Sequence, residues 1–150
     1  MKIRSKFGAA LTAGVTAVIT LAMASPASAA NSYKQTDLKN TDSGLITLYE
    51  NRKPMGQVRW NSDPFDWSGH ISGDHIYAED TRSDGYGILG DVRRVSDNKL
   101  LGRASTWGQP APSTVKDGEN VDEGTRIKYR ACVVHNHVMQ YCSQWFFDRA

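Results

Sequence analysis

In TRIKYRACVVHNHVMQYCSQWFF, residues 125–147, two runs of alternating apolar and polar residues flank a polar turn. Along the first run, Ile127, Tyr129, Ala131 and Val133 share one face, and Lys128, Arg130 and Cys132 share the other. Along the second, Met139, Tyr141, Ser143, Trp145 and Phe147 alternate with Gln140, Cys142 and Gln144. A period of two is the signature of a strand with one buried face. Placing Cys132 opposite Cys142 puts Val133 opposite Tyr141, Tyr129 opposite Trp145, Ile127 opposite Phe147 and Arg130 opposite Gln144. One register then satisfies both the cysteines and the apolar pattern, with the turn at His135-Asn136-His137. The expectation is a C-terminal hairpin with a disulfide on its outer face. Cα atoms more than about 7 Å apart would exclude it.

The rest of the chain reads in the same way. Ile46 and Leu48, then Val58 and Trp60, lie in short alternating runs separated by the turn formers Asn51-Arg52-Lys53-Pro54. His75-Ile76-Tyr77-Ala78 predicts a strand. Ser83-Asp84-Gly85 predicts a tight turn, because Gly reaches positive φ without steric cost. Strands are expected over residues 86–95 and 100–107, with a turn at Ser96-Asp97-Asn98-Lys99 between them. Residues 108–124, rich in Gly, Pro and acids, are expected to form one long loop. No stretch has an apolar period of 3.6 residues over helical length, and no internal repeat is visible. About seven short strands in some 105 residues predict an all-β fold, a small antiparallel β-sandwich, with a small β-barrel as the alternative.

The N-terminus supplies the compartment. Lys2, Arg4 and Lys6 precede an apolar run from Phe7 to Met23, followed by Ser25-Pro26-Ala27-Ser28-Ala29-Ala30. This is the pattern of a secretory signal peptide over residues 1–29, cleaved after Ala29. Its apolar run is short for an uncleaved anchor, and no later apolar run approaches the ~18 residues of a membrane helix. Residues 30–43 are polar and read as a flexible lead-in, and residues 44–150 read as a single β-domain. Without Lys2, Arg4 and Lys6 the 18 basic residues fall to 15, against 16 acidic ones, a net charge of −1. That balance speaks against a nucleic-acid or anionic-membrane partner. Outside the cell, an isolated cysteine pair is most simply a disulfide. A secreted, extracellular monomer without a cofactor is expected.

Two resemblances emerge from these residues. Gly73-Asp74-His75-Ile76-Tyr77, Glu79-Asp80-Thr81-Arg82-Ser83-Asp84-Gly85-Tyr86-Gly87, Glu123-Gly124-Thr125-Arg126-Ile127 and Arg130-Ala131-Cys132…Cys142 resemble the strand and turn signature of a family of small secreted actinobacterial proteins. Ser83 stands where that family has Ala. The resemblance spans most of residues 56–147. It implies a small exported β-domain and carries over no catalytic residue. Ile46-Thr47-Leu48-Tyr49-Glu50-Asn51-Arg52-Lys53-Pro54-Met55-Gly56 is similar to the opening hairpin of a βγ-crystallin Greek key. Tyr49, Glu50 and Gly56 match it. Pro54 replaces an aromatic, and neither a second copy nor the calcium segment of such domains is recognisable.

Catalytic signals are weak. His135-Asn136-His137 is consecutive, unlike the dispersed ligands of the nuclease motif with those letters, and reads as a turn. His70, Asp74 and His75, near Asp63 and Asp66, form the best acid/base or metal candidate. Asp117, Glu119, Asp122 and Glu123 crowd one segment without the ligand alternation of a calcium loop. Asp80-x-Arg82-x-Asp84-Gly85 has Arg where a ligand belongs. No nucleophile elbow is present. The aromatics are more informative. Trp67 and Trp107, with Phe65, Asp66 and Gln109, combine flat apolar faces with polar neighbours, as suits a sugar or a protein partner. Trp60 and Trp145 read as core. The resulting expectation is a secreted, non-catalytic domain that binds an extracellular protein or a cell-wall glycan. An inhibitor of a secreted enzyme, inserting residues 108–124, and a small extracellular hydrolase using His70, Asp74 and His75 are the alternatives.

Overall fold

The alternating runs pair into two antiparallel sheets. A computed structural model describes residues 31–38, 43–66 and 70–150, with backbone alone for 65–66 and 70–71. Residues 1–29, expected to be a signal peptide, part of the lead-in and Trp67 lie outside the described residues. Twelve strands are described: β1 Asn31–Leu38, β2 Ser43–Glu50, β3 Lys53–Asn61, β4 Phe65–Asp66, β5 His70–Ile71, β6 His75–Asp80, β7 Gly87–Arg94, β8 Leu100–Ser105, β9 Ser113–Asp117, β10 Arg126–His135, β11 Val138–Cys142 and β12 Phe146–Arg149. The first sheet runs β1-β2-β3-β6-β9. The second runs β11-β10-β7-β8, with β12 also on β10. The short pair β4-β5 stands apart.

The core lies between the sheets. Ile46, Leu48, Val58, Trp60, Ile76 and Ala78 come from the first sheet, and Ile88, Val92, Ile127, Tyr129 and Val133 from the second; all are buried. Trp60 is fully covered, and its indole N–H donates to the Arg149 carbonyl at 3.1 Å, which ties the first sheet to the last strand. Gly56 is required by close approach: a Cβ there would lie 2.2 Å from the Glu79 carbonyl oxygen and 2.5 Å from Ile88 Cγ1. The two-residue turns Asn51-Arg52 and Asn136-His137 both have positive φ, at 51° and 65°, and 50° and 62°. This is the turn conformation that matches the twist of paired strands.

The fold is a sandwich, not a barrel. At one corner β8 meets the residues just after β9 through a backbone bond, Glu119 N–H to the Leu101 carbonyl at 3.2 Å, and the sheets do not join in a ladder there. The Cys132–Cys142 disulfide is present with its Cα atoms 4.0 Å apart, and Cys132 pairs with Cys142 and Val133 with Tyr141. It lies on the outer face, as expected, yet it is not wet. Cys132 is fully buried in a satellite cluster with Leu89 and Val134, covered by Trp107 and Met139.

Several expectations are corrected. Tyr129 pairs with Phe146, and Ile127 with Asp148, one residue beyond the expected partners. The cause is Ser143. Its hydroxyl accepts the Ala131 N–H at 3.1 Å while its own N–H donates to the Ala131 carbonyl at 2.8 Å. These two bonds, with residues 143–145 outside any strand, separate β11 from β12. Trp145 therefore leaves the core and lies on the outer face under Arg130 and Lys128, 4.5 and 5.1 Å from its ring centre. The lead-in, expected to be flexible, contains β1, paired along its length with β2. The long loop contains β9, paired with β6.

Candidate functional site

A local chain of turns builds an aromatic shelf at one end of the sandwich. After β6, Asp84 Oδ1 accepts the Tyr86 N–H at 3.0 Å, and Gly85 sits at φ 79°. This turn, closed by the Asp84 carboxylate, projects Tyr86, which is 42 % exposed. At the far end of β10, His135 Nδ1 donates to the Gly85 carbonyl at 3.0 Å. Trp107 follows β8 and packs its backbone against Gly87, where a Cβ would meet the Trp107 nitrogen at 2.7 Å. The rings converge: Tyr86 to His135 is 5.0 Å between centroids, Trp107 to His135 5.2 Å and Trp107 to His137 6.0 Å. The Trp107 contacts are edge-on, an arrangement favoured by the ring quadrupole.

Polar groups border this shelf. Tyr86, Trp107, Gln109 and Pro110 line an open groove of about 530 Å³ with Asp80 and Arg82. The Gln109 N–H donates to the Thr106 carbonyl at 2.9 Å, closing a turn that leaves its amide exposed. Arg82 lies between two carboxylates, Glu50 at 3.1 Å and Asp84 at 3.3 Å. Asp80 is buried, and its Oδ1 accepts the Arg82 N–H at 2.9 Å. Burial holds its carboxyl above the usual carboxylate range, and that hydrogen bond offsets part of the rise.

The sequence-predicted residues do not form one cluster. Trp107 and Gln109 line the groove. Phe65 and Asp66 lie on β4, just past the β3 residue Asn61 that pairs with the start of β6, whereas the groove adjoins the end of β6 at Asp80. Those ends are about 17 Å apart at ~3.3 Å per residue. Trp67 lies outside the described residues. Tyr86, His135 and His137 were missed as site residues, since alternation marks Tyr86 only as a strand start and the histidines only as a turn.

The other candidates resolve into local structure. Asp74 Oδ2 accepts the Val121 N–H at 3.2 Å, and His75 Nδ1 is bonded to the Gly73 carbonyl. Asp117 accepts the Arg103 N–H at 2.8 Å, and Glu119 pairs with Lys99. Among the described residues no group of three His, Cys, Asp or Glu is placed to share a metal ion. Residues 108–124 are divided by β9, so their middle is fixed to a sheet edge. No family model, no curated protein and no solved structure matches the chain.

Proposed function

We propose that the protein is an exported, non-catalytic binding domain that takes a cell-wall glycan in the groove beside Tyr86 and Trp107. The observation that carries this reading is the convergence of Tyr86, Trp107 and His135 from three separate strands' ends onto one open, polar-rimmed groove. A sugar has apolar faces and hydroxyl edges. A half-exposed phenol ring beside the Gln109 amide and the Arg82 guanidinium suits both. The export-type leader and the disulfide support an extracellular setting.

Titration calorimetry with a chitooligosaccharide, a neutral polymer of wall-type sugars, tests the reading. Tyr86→Ala removes an exposed ring that the core does not need. It is expected to weaken binding about tenfold, a loss of about 1.4 kcal/mol, with an unchanged unfolding midpoint. Trp107→Ala is a poorer probe, because Trp107 also covers the disulfide cluster. Parent-like affinity in Tyr86→Ala, or no binding by the parent, overturns the groove as a glycan site.

A further inference from the structure

The outer face of the second sheet carries a charge pattern that the groove does not use. Residues directly opposite one another across strands share a face. In one row, Arg103 of β8, Asp91 of β7 and Arg130 of β10 lie side by side. In the next, Leu100, Arg93, Lys128 and Phe147 run across β8, β7, β10 and β12. Arg126 and Arg149 follow. Asp91 is the one acid at these positions. It is fully buried and held by Arg103 Nε at 2.5 Å and by an Arg130 terminal nitrogen at 3.0 Å. These rows thus carry six cations to one carboxylate, two of them bonded to it, although the sequence without residues 1–29 has a net charge of −1.

The face is also structured for contact. Trp145 lies under Arg130 and Lys128 and holds both cations over its ring. A terminal guanidinium nitrogen of Arg93 donates to the Asn98 carbonyl at 3.1 Å, which anchors one edge of its head group. Phe147 is 60 % exposed and Leu100 39 % exposed, at either end of the row that holds Arg93 and Lys128. The charge and the apolar ends occur in one line. A partner that fits must carry repeated anionic groups on units with apolar faces.

We propose that this face binds a polyuronate, a linear glycan with one carboxylate per sugar ring. Arginine forks pair with carboxylates through two hydrogen bonds. Phe147 and Leu100 supply surfaces for the ring faces between the charges. A polyol phosphate would leave those apolar residues uncovered. This inference uses none of the groove residues, so it stands or falls separately from the glycan reading above.

The test is binding of the protein to polygalacturonate by titration calorimetry or retarded electrophoresis, with dextran and double-stranded DNA as parallel probes. The parent is expected to bind polygalacturonate, to lose at least tenfold in affinity between about 0.05 and 0.5 M salt as the screening length shortens, and to ignore dextran. The pair Arg93→Gln and Lys128→Gln is expected to lose at least tenfold, and Phe147→Ala several-fold. Removing two exposed cations of the first sheet, Lys34→Gln and Lys53→Gln, changes nothing. Thermal midpoints of all variants are measured alongside, and Phe147→Ala, whose ring is mostly solvated, retains the fold if the charge variants do not. Affinity for DNA equal to or above that for polygalacturonate makes the face a nucleic-acid surface and overturns the proposal. So does equal loss from the Lys34 and Lys53 pair, or no loss from Phe147→Ala.

Discussion

Asp80 carries a desolvation cost that its one backbone bond only partly offsets. Its carboxyl is raised by burial, and the Arg82 N–H and the Arg82 charge pull it back. A raised group binds its proton more tightly in the folded chain. Its stabilisation is therefore complete below the ordinary value of 3.8 and is lost as pH rises through the folded value. Asp80→Asn keeps an acceptor for Arg82 and does not titrate. Relative to the parent, that variant is expected to gain stability as pH rises from about 3 to about 7. Urea midpoints across that range check the slope, and a flat or reversed difference contradicts it. The buried position of residue 80 was not read from the sequence, because the strand expected over His75-Ile76-Tyr77-Ala78 ends two residues short of it; the alternation of Ile76 and Ala78 continues to Asp80. Its coupling to Arg82 was not legible either, because that sequence also imitates a broken ion loop. Gly56 was legible only as a motif match. The reason for it, the carbonyl of Glu79 on the paired strand and the Ile88 side chain from the facing sheet, lies 23 and 32 residues away in the sequence.

Among the elements, the terminal hairpin shows where alternation succeeds and where it stops. Cys132 with Cys142, and Val133 with Tyr141, follow from the sequence because two constraints coincide. Beyond Ser143 the register slips, because a serine that bonds back to Ala131 has no apolar signature. The slip moves Trp145 outward and creates its contact with Arg130 and Lys128. β1 and β9 were equally hidden. Both are sheet-edge strands with mostly polar residues, and an edge strand buries too little for a period of two to show. The disulfide joins β10 to β11 across ten residues of sequence. Replacing both cysteines by serine is expected to lower stability by about 3 kcal/mol in the chain-entropy model. The hydroxyl left at position 132 is buried in an apolar cluster and adds to the loss. Guanidinium unfolding of the double variant measures it, and a loss below about 1 kcal/mol contradicts the estimate.

The whole molecule is held unevenly. β7 is central in its sheet, hydrogen-bonded to β10 and β8 on either side. The corner between β8 and β9 depends on the Glu119 bond and on the Asp117 carboxylate accepting from Arg103. Hydrogen exchange should therefore be at least about tenfold faster at the Arg103 and Glu119 amides than at Val92, since local opening follows the weaker ladder. Equal protection would mean that the corner behaves as a closed barrel. The all-β class was legible from strand number and turn spacing, but the choice of sandwich over barrel was not, because it depends on whether the sheets close at the β8–β9 corner. The aromatic shelf was not legible either, because it needs the β7–β8 and β7–β10 pairings to bring Tyr86, Trp107 and His135 together.

β10 runs from Arg126 beneath the cationic rows to His135 beside Tyr86. It spans about 30 Å at ~3.3 Å per residue, and it works as a ruler. If the proposed groove and the proposed cationic face are both occupied, their ligands sit about 30 Å apart along this one strand, so that only a partner long enough to present a neutral sugar at one end and carboxylates at the other gains avidity from the two together.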